Sequence, residues 1–181
     1  MGAGARRSAV RGAARGTRRT ADRRRGPGGD HARGRRPAPG PGSVVLQFEV
    51  GDADFDPDAI AENSVCYTGT HDNDTTIGWF RGGGDDTRTR AEVRAAQAAV
   101  LELTGGSAQT IHTDMIRLAF ASPSVLAVAP MQDFLGLGSE ARLNRPGTTR
   151  DNWRWRMAEG ALDGAQADRI RRMVEDAARA P

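Results

Sequence analysis

The sequence predicts an α/β fold built on a parallel sheet, and three observations carry that expectation. Two short apolar runs, Val44-Val45-Leu46-Gln47-Phe48 and Val65-Cys66-Tyr67, each give way to a polar, turn-forming stretch. Two amphipathic stretches with helical spacing follow, over residues 90–103 and 111–121. A third apolar run, Val125 to Ala129, lies between Pro123 and Pro130, the pattern of a strand covered on both faces. Strand, helix and strand in alternation call for right-handed βαβ units.

The 181 residues suffice for one ordinary core and a tail. Residues 1–43 hold twelve Arg and two Asp, about +10, whereas residues 44–181 hold fourteen Arg against twenty-one acids, about −7, which together give the net +3. The basic character therefore belongs to the tail, and the rest is an acidic domain. Every one of the 26 basic residues is Arg in a chain rich in Ala and Gly, a bias expected of coding DNA rich in G and C, so Arg counts carry little functional weight. Apart from Met1, Val10 is the tail's one sizeable apolar side chain, too little burial to offset the entropy of ordering, so residues 1–43 are expected to be disordered. A nucleic-acid-binding arm, a targeting peptide and a segment with no evolved role are the alternatives. The last is favoured, because nucleic-acid arms add aromatic residues for stacking and this tail has none. No apolar run is long enough to span a membrane, and no secretory apolar core opens the chain. A single cysteine, Cys66, allows no intramolecular disulfide and fits a reducing cytoplasm.

Within the domain, the run 44–48 reads as a buried strand and the acidic stretch 51–57 as a loop. After the strand ending at Tyr67, a helix is expected over residues 90–103. Thr89 and Glu92 have capping-box spacing, Val93, Ala96, Val100 and Leu103 share one face, and Gly105-Gly106 stop it. A second helix over 111–121 takes Thr110 as its N-cap and buries Met115, Leu118 and Ala119. The last helix, over about 165–178, buries Ile170, Met173, Val174 and Ala177.

The chemistry-bearing residues gather after the second strand. His71, Asp72, Asn73 and Asp74 follow it directly, the placement by which an α/β domain presents a site at the carboxyl end of its sheet. The same residue types also form Asx turns and N-caps, so Asn73 and Asp74 either line a cleft or support the loop. The third strand delivers Gln132 and Asp133 to the same end, where Asp133 either faces the site or pairs with Arg142. Trp153 and Trp155, just ahead of the last helix, either stack on the ring face of a ligand or, the favoured reading, lie in the core. His31, His71 and His112 are too far apart for metal-ligand spacing.

From about Val44 onward the sequence resembles a known family. LQF, THDND-T followed by GW, and QDFLGLGSEARLNRPGT-NWRWR are similar, in identity and order, to the 4-alpha-glucanotransferases of the amylomaltase (disproportionating enzyme) type. One departure is Thr113, where many members carry Trp. The resemblance implies that residues 44–181 are the C-terminal part of a (β/α)8 TIM barrel, with the runs at 44–48, 65–67 and 125–129 as its sixth, seventh and eighth strands. Three strands cannot close a barrel, so the chain is expected to be a fragment, preceded by the tail of residues 1–43.

The implied activity is transfer of a segment of a 1,4-alpha-D-glucan to a new 4-position on glucose or a maltooligosaccharide, without organic cofactor or metal. By the same resemblance Asp72 is the carboxylate that stabilises the transition state, His71 binds the sugar, and the loop holding Asn144 and Pro146 lies near the sugar-binding cleft; Asn73, Gln132 and Asp133 join them as substrate-binding candidates by their place at the strand ends. Retaining transfer also needs a nucleophilic carboxylate and an acid about 5 Å apart. The motifs that carry those two in the family do not occur in this sequence, so the chain alone is expected to be inactive. The implied partners are the glucan and a complementary N-terminal part of the enzyme.

Overall fold

Three parallel strands, β1 (Gly42–Val45), β2 (Ser64–Tyr67) and β3 (Leu126–Val128), form a sheet in that order, with β2 in the centre. The computed structural model describes residues 42–83 and 86–179. Val45 pairs with Tyr67 and Tyr67 with Val128, so the three carboxyl ends lie level along one edge. The expected disordered tail falls outside the described residues up to residue 41. Gly42 and Ser43, on the tail side of the expected boundary, instead open β1 in register with Ser64 and Val65.

The first strand is shorter than its apolar run. After Val45 the chain turns into a single helical turn, α1 (Leu46–Glu49), closed by the Val50 amide on the Leu46 carbonyl at 3.0 Å. Leu46 and Gln47 are both buried in this turn, and Phe48 is left 70% exposed.

Beyond β2, α2 (Thr76–Arg81) starts from Thr75, whose hydroxyl accepts the Gly78 amide at 3.1 Å. Helix α3 (Arg90–Thr104) carries the expected capping box: Thr89 Oγ1 accepts the Glu92 amide at 3.2 Å and Glu92 accepts the Thr89 amide at 2.6 Å. Val93 and Val100 are buried on its inner face, but Leu103 is exposed in the last turn. Helix α4 (Ile111–Ala121) has Thr110 at its N-cap position without a side-chain cap. The Thr110 hydroxyl donates to Asp114 instead, and Ser107 bonds the same oxygen.

Helix α4 sits between two cores. Ile111, Met115 and Ala119 join Leu46, Cys66, Trp79 and Val100 over one face of the sheet. Ile116 and Phe120 pack with Phe134 of α5 (Met131–Phe134) and Met173 of α6 (Gly164–Asp176). Ile170, Val174 and Ala177 are partly buried against this second cluster, as the 3.6-residue spacing predicts. Arg169 donates to the Thr113 hydroxyl at 2.8 Å, and Arg179 donates to the Phe120 and Ser122 carbonyls at the end of α4. Burial pushes the Cys66 thiol up from its ordinary range.

The third strand departs from its expected burial. Ala127 packs against both clusters, but Val125 is 72%, Leu126 52% and Val128 36% exposed. Strand alternation puts Leu126 and Val128 on the opposite face from Ala127, and among the described residues that face of β3 has no covering layer.

Candidate active site

The loop from Thr68 to Thr75 leaves the carboxyl end of β2 and is held from both neighbouring strands. Thr68 extends the ladder by donating its amide to Val128 O at 3.2 Å. Its hydroxyl donates to Asp133 Oδ2 at 2.7 Å, and Asp133 also accepts the amide and hydroxyl of Thr76 at 2.8 and 2.9 Å. One buried carboxylate thereby closes the two ends of the loop on each other. From the β1 side, Gln47 Nε2 donates to the Asp74 carbonyl at 2.9 Å. Gly69 makes that approach possible, because a Cβ there would stand 2.6 Å from Gln47 Nε2.

Inside the loop, Asn73 Oδ1 accepts the amide and hydroxyl of Thr70 at 2.9 and 2.7 Å, an Asx-type brace. The Asp74 carboxylate accepts the Thr75 amide at 2.8 Å and the Ser139 hydroxyl at 2.6 Å. Both residues therefore shape the loop, and both also border the cleft beside it.

Asp72 stands at the rim of that cleft. Its Oδ1 accepts Asn144 Nδ2 at 2.6 Å and lies 3.3 Å from His71 Nε2, and both side chains are about half exposed. Arg142 donates to the Asp72 carbonyl at 2.8 Å and to the Asn144 carbonyl at 2.9 Å, fixing the two backbones side by side. Both contacts fall on Oδ1, so the His71 imidazole and the Asn144 amide converge on one oxygen of Asp72.

The open cleft, about 680 Å³, is bounded by Phe48, Asp72, Asn73, Trp79, Arg145 and Pro146 among others. On its far side Arg88 makes a paired contact with Asp86, 2.6 Å at its shortest, and lies 5.1 Å from the Trp79 ring centre. The hydrogen bonds from Arg88, more than its charge alone, hold the Asp86 carboxyl below the ordinary range.

Of the residues that the sequence singled out, Asp72, His71, Asn73 and Asn144 come together, and Pro146 lines the same cleft. Gln132 is buried behind them, donating to the Ala141 carbonyl at 3.1 Å, and borders a smaller pocket with His71 and Asn73. Asp133 is different: it is 1% exposed with its oxygens on Thr68 and Thr76, so it braces the loop and neither faces the cleft nor pairs with Arg142. Burial pushes its carboxyl up, against the pull of those three donors.

Trp153 also departs from expectation. It is 54% exposed and not in either core; its ring lies against His71, centroids 5.2 Å apart at 35°. Its φ is 62°, in the left-handed region, and its amide donates to the Leu143 carbonyl at 2.6 Å. Trp155 is half-buried. Several residues escaped sequence reading, among them Thr68, Thr76, Gln47 and Ser139. Gln47 carried a signal, being the one polar residue within an apolar run; Ser139 carried none, because its contact with Asp74 spans 65 residues. Among the described residues, no group of three or more His, Cys, Asp or Glu is placed to hold a metal.

Fold and cleft together define an α/β protein with a carboxylate-centred polar site at the carboxyl ends of parallel strands. Comparison with known proteins gives the family. The 4-alpha-glucanotransferase family model matches residues 34–162. A 4-alpha-glucanotransferase of Thermus thermophilus is 39% identical over 141 residues, covering 75% of this chain and 27% of that protein. One from Synechocystis sp. is 47% identical over 94 residues, 52% of this chain and 17% of that protein. Among solved structures, an amylomaltase from Streptococcus agalactiae in complex with acarbose superposes with a TM-score of 0.67 and 25% identity, over 78% of this chain and 28% of that one. The chain belongs to the 4-alpha-glucanotransferase family. It spans about a quarter of the length of the Thermus relative.

Proposed function

We propose that this chain supplies one wall of a 4-alpha-glucanotransferase active site, the wall on which Asp72 stabilises a strained glucosyl ring. In this reading the three parallel strands are the last three of a (β/α)8 barrel. The reaction moves a segment of a 1,4-alpha-D-glucan to the 4-position of glucose or a maltooligosaccharide, in the cytoplasm. The observation that carries it is the Asp72 carboxylate, fixed by Asn144 at 2.6 Å beside His71, in the segment that the family model matches. A carboxylate and an imidazole side by side suit hydrogen bonds to ring hydroxyls that tighten as the ring flattens toward an oxocarbenium ion.

The other carboxylates bordering the described cleft are engaged: Asp74 by Ser139 and Thr75, and Asp86 by Arg88. Neither is free to attack an anomeric carbon, and a carboxyl held low by Arg88 is no general acid. The nucleophile and the acid/base therefore come, in this proposal, from a complementary N-terminal part of the enzyme.

Incubation with maltotriose tests it. The chain alone should release no glucose or longer oligosaccharides, and addition of the N-terminal part of a family member should start disproportionation. In the reconstituted enzyme, Asp72→Asn should cost about 100-fold or more in turnover. Turnover by the chain alone, or an Asp72→Asn enzyme at the parent rate, would sink the proposal.

A further inference from the structure

Trp153 combines three features that neither packing nor turn formation explains. It adopts a left-handed φ of 62°, a conformation that bulky side chains rarely take. It leaves a large apolar ring about half exposed. And that ring rests on His71, the imidazole beside Asp72. The backbone around it is fixed at several points. The Trp153 amide donates to Leu143 O, Arg156 Nη1 donates to Trp153 O at 3.0 Å and to Trp155 O at 2.8 Å, and Asn152 Oδ1 accepts the Arg145 amide at 2.9 Å. The neighbouring Asp151 shares the left-handed conformation, with φ 61°. The segment after Asn144 is thus folded so that its ring reaches back to the loop after β2.

We propose that Trp153 is a positioning residue for His71. An exposed imidazole has two free side-chain torsions, and Asp72 Oδ1 at 3.3 Å constrains it loosely. The indole removes one face of the imidazole from the accessible rotamers and keeps Nε2 on the Asp72 side, so that a glucosyl ring meets both groups in one arrangement. This rests on the glucan-site reading above, and it assigns the strained tryptophan a role in substrate recognition through His71.

The test uses the full chain and NMR of the His71 ring protons, assigned against His71→Gln, with maltotriose as the titrant. In the parent chain the indole ring current displaces these protons from their free-histidine shifts. Trp153→Ala should move them toward the free-histidine values and weaken the maltotriose response of His71 about three- to tenfold. Trp153→Phe should restore both, and Trp155→Ala should change neither. The amides of Thr70 and Asn73 report whether the loop itself stays folded; if Trp153→Ala disturbs them, Trp153→Leu replaces it in the comparison with Phe. His71 ring signals that match the parent in the non-aromatic variant would overturn the proposal. So would a shifted ring with unchanged maltotriose affinity. If maltotriose moves no signal of the parent chain even with the N-terminal part of a family member added, the glucan-site reading fails, while the ring-proton comparison still decides whether Trp153 holds His71.

Discussion

Asp133 accepts both the amide and the hydroxyl of Thr76, at 2.8 and 2.9 Å, across 57 residues of sequence. With the third donor, Thr68, this makes a buried carboxylate after β3 the fastening of the loop after β2. Asp133→Ala would leave two hydroxyls and one amide buried without a partner. Each such group costs about 1–3 kcal/mol, so a loss of roughly 3 kcal/mol or more is expected. Urea denaturation measures it, and a change below about 1 kcal/mol would show that the loop holds itself.

Gly78 allows α2 to lie against Asp74 and Ser139. A Cβ at that position would stand 2.4 Å from the Asp74 carboxylate and 2.4 Å from Ser139 Oγ. Gly78→Ala should therefore break the Asp74–Ser139 hydrogen bond and destabilise by about 1–3 kcal/mol, although alanine is the better helix former. Equal or greater thermal stability of the variant would contradict the packing described.

His112 makes stability depend on pH. Its Nδ1 is buried with no hydrogen-bond partner, and burial, then Arg169, holds its pKa below the ordinary 6.5. The folded state keeps the ring neutral while the unfolded chain takes up a proton near that value. His112 therefore contributes full stability above 6.5, and this contribution falls as pH drops through 6.5 toward the folded value. The slope is at most one proton, about 1.4 kcal/mol per pH unit. Denaturation midpoints of the parent and His112→Asn, compared at pH 7.5 and 5.5, isolate it. The parent should lose more on acidification; equal losses would exclude His112 as the cause.

Local rules reached a good part of this molecule. The capping box at Thr89 and Glu92 needs only neighbours three residues apart and formed as read. The parallel order of the strands follows from the apolar runs and the helices between them. Asp72 and Asn144 were both singled out, but nothing in sequence spacing says that they meet at 2.6 Å. Phe48 and Leu46 looked alike in an apolar run, yet one is exposed and the other fully buried, because the strand ends before them.

What the chain determined by itself is whatever depends on short-range periodicity and chemical type: the order of the three strands and the three long helices, the capping box at Thr89, the polar cluster after Tyr67 and the motifs that place it in its family. Tertiary structure decided the assignments that depend on which distant groups converge. Asp133 became a brace instead of a cleft residue because Thr68 and Thr76 supply its donors. Trp153 moved from the expected core to His71 because a left-handed backbone turned it there. Hydrogen-bond partners and left-handed turns are settled by long-range packing, which no local pattern of residue types encodes.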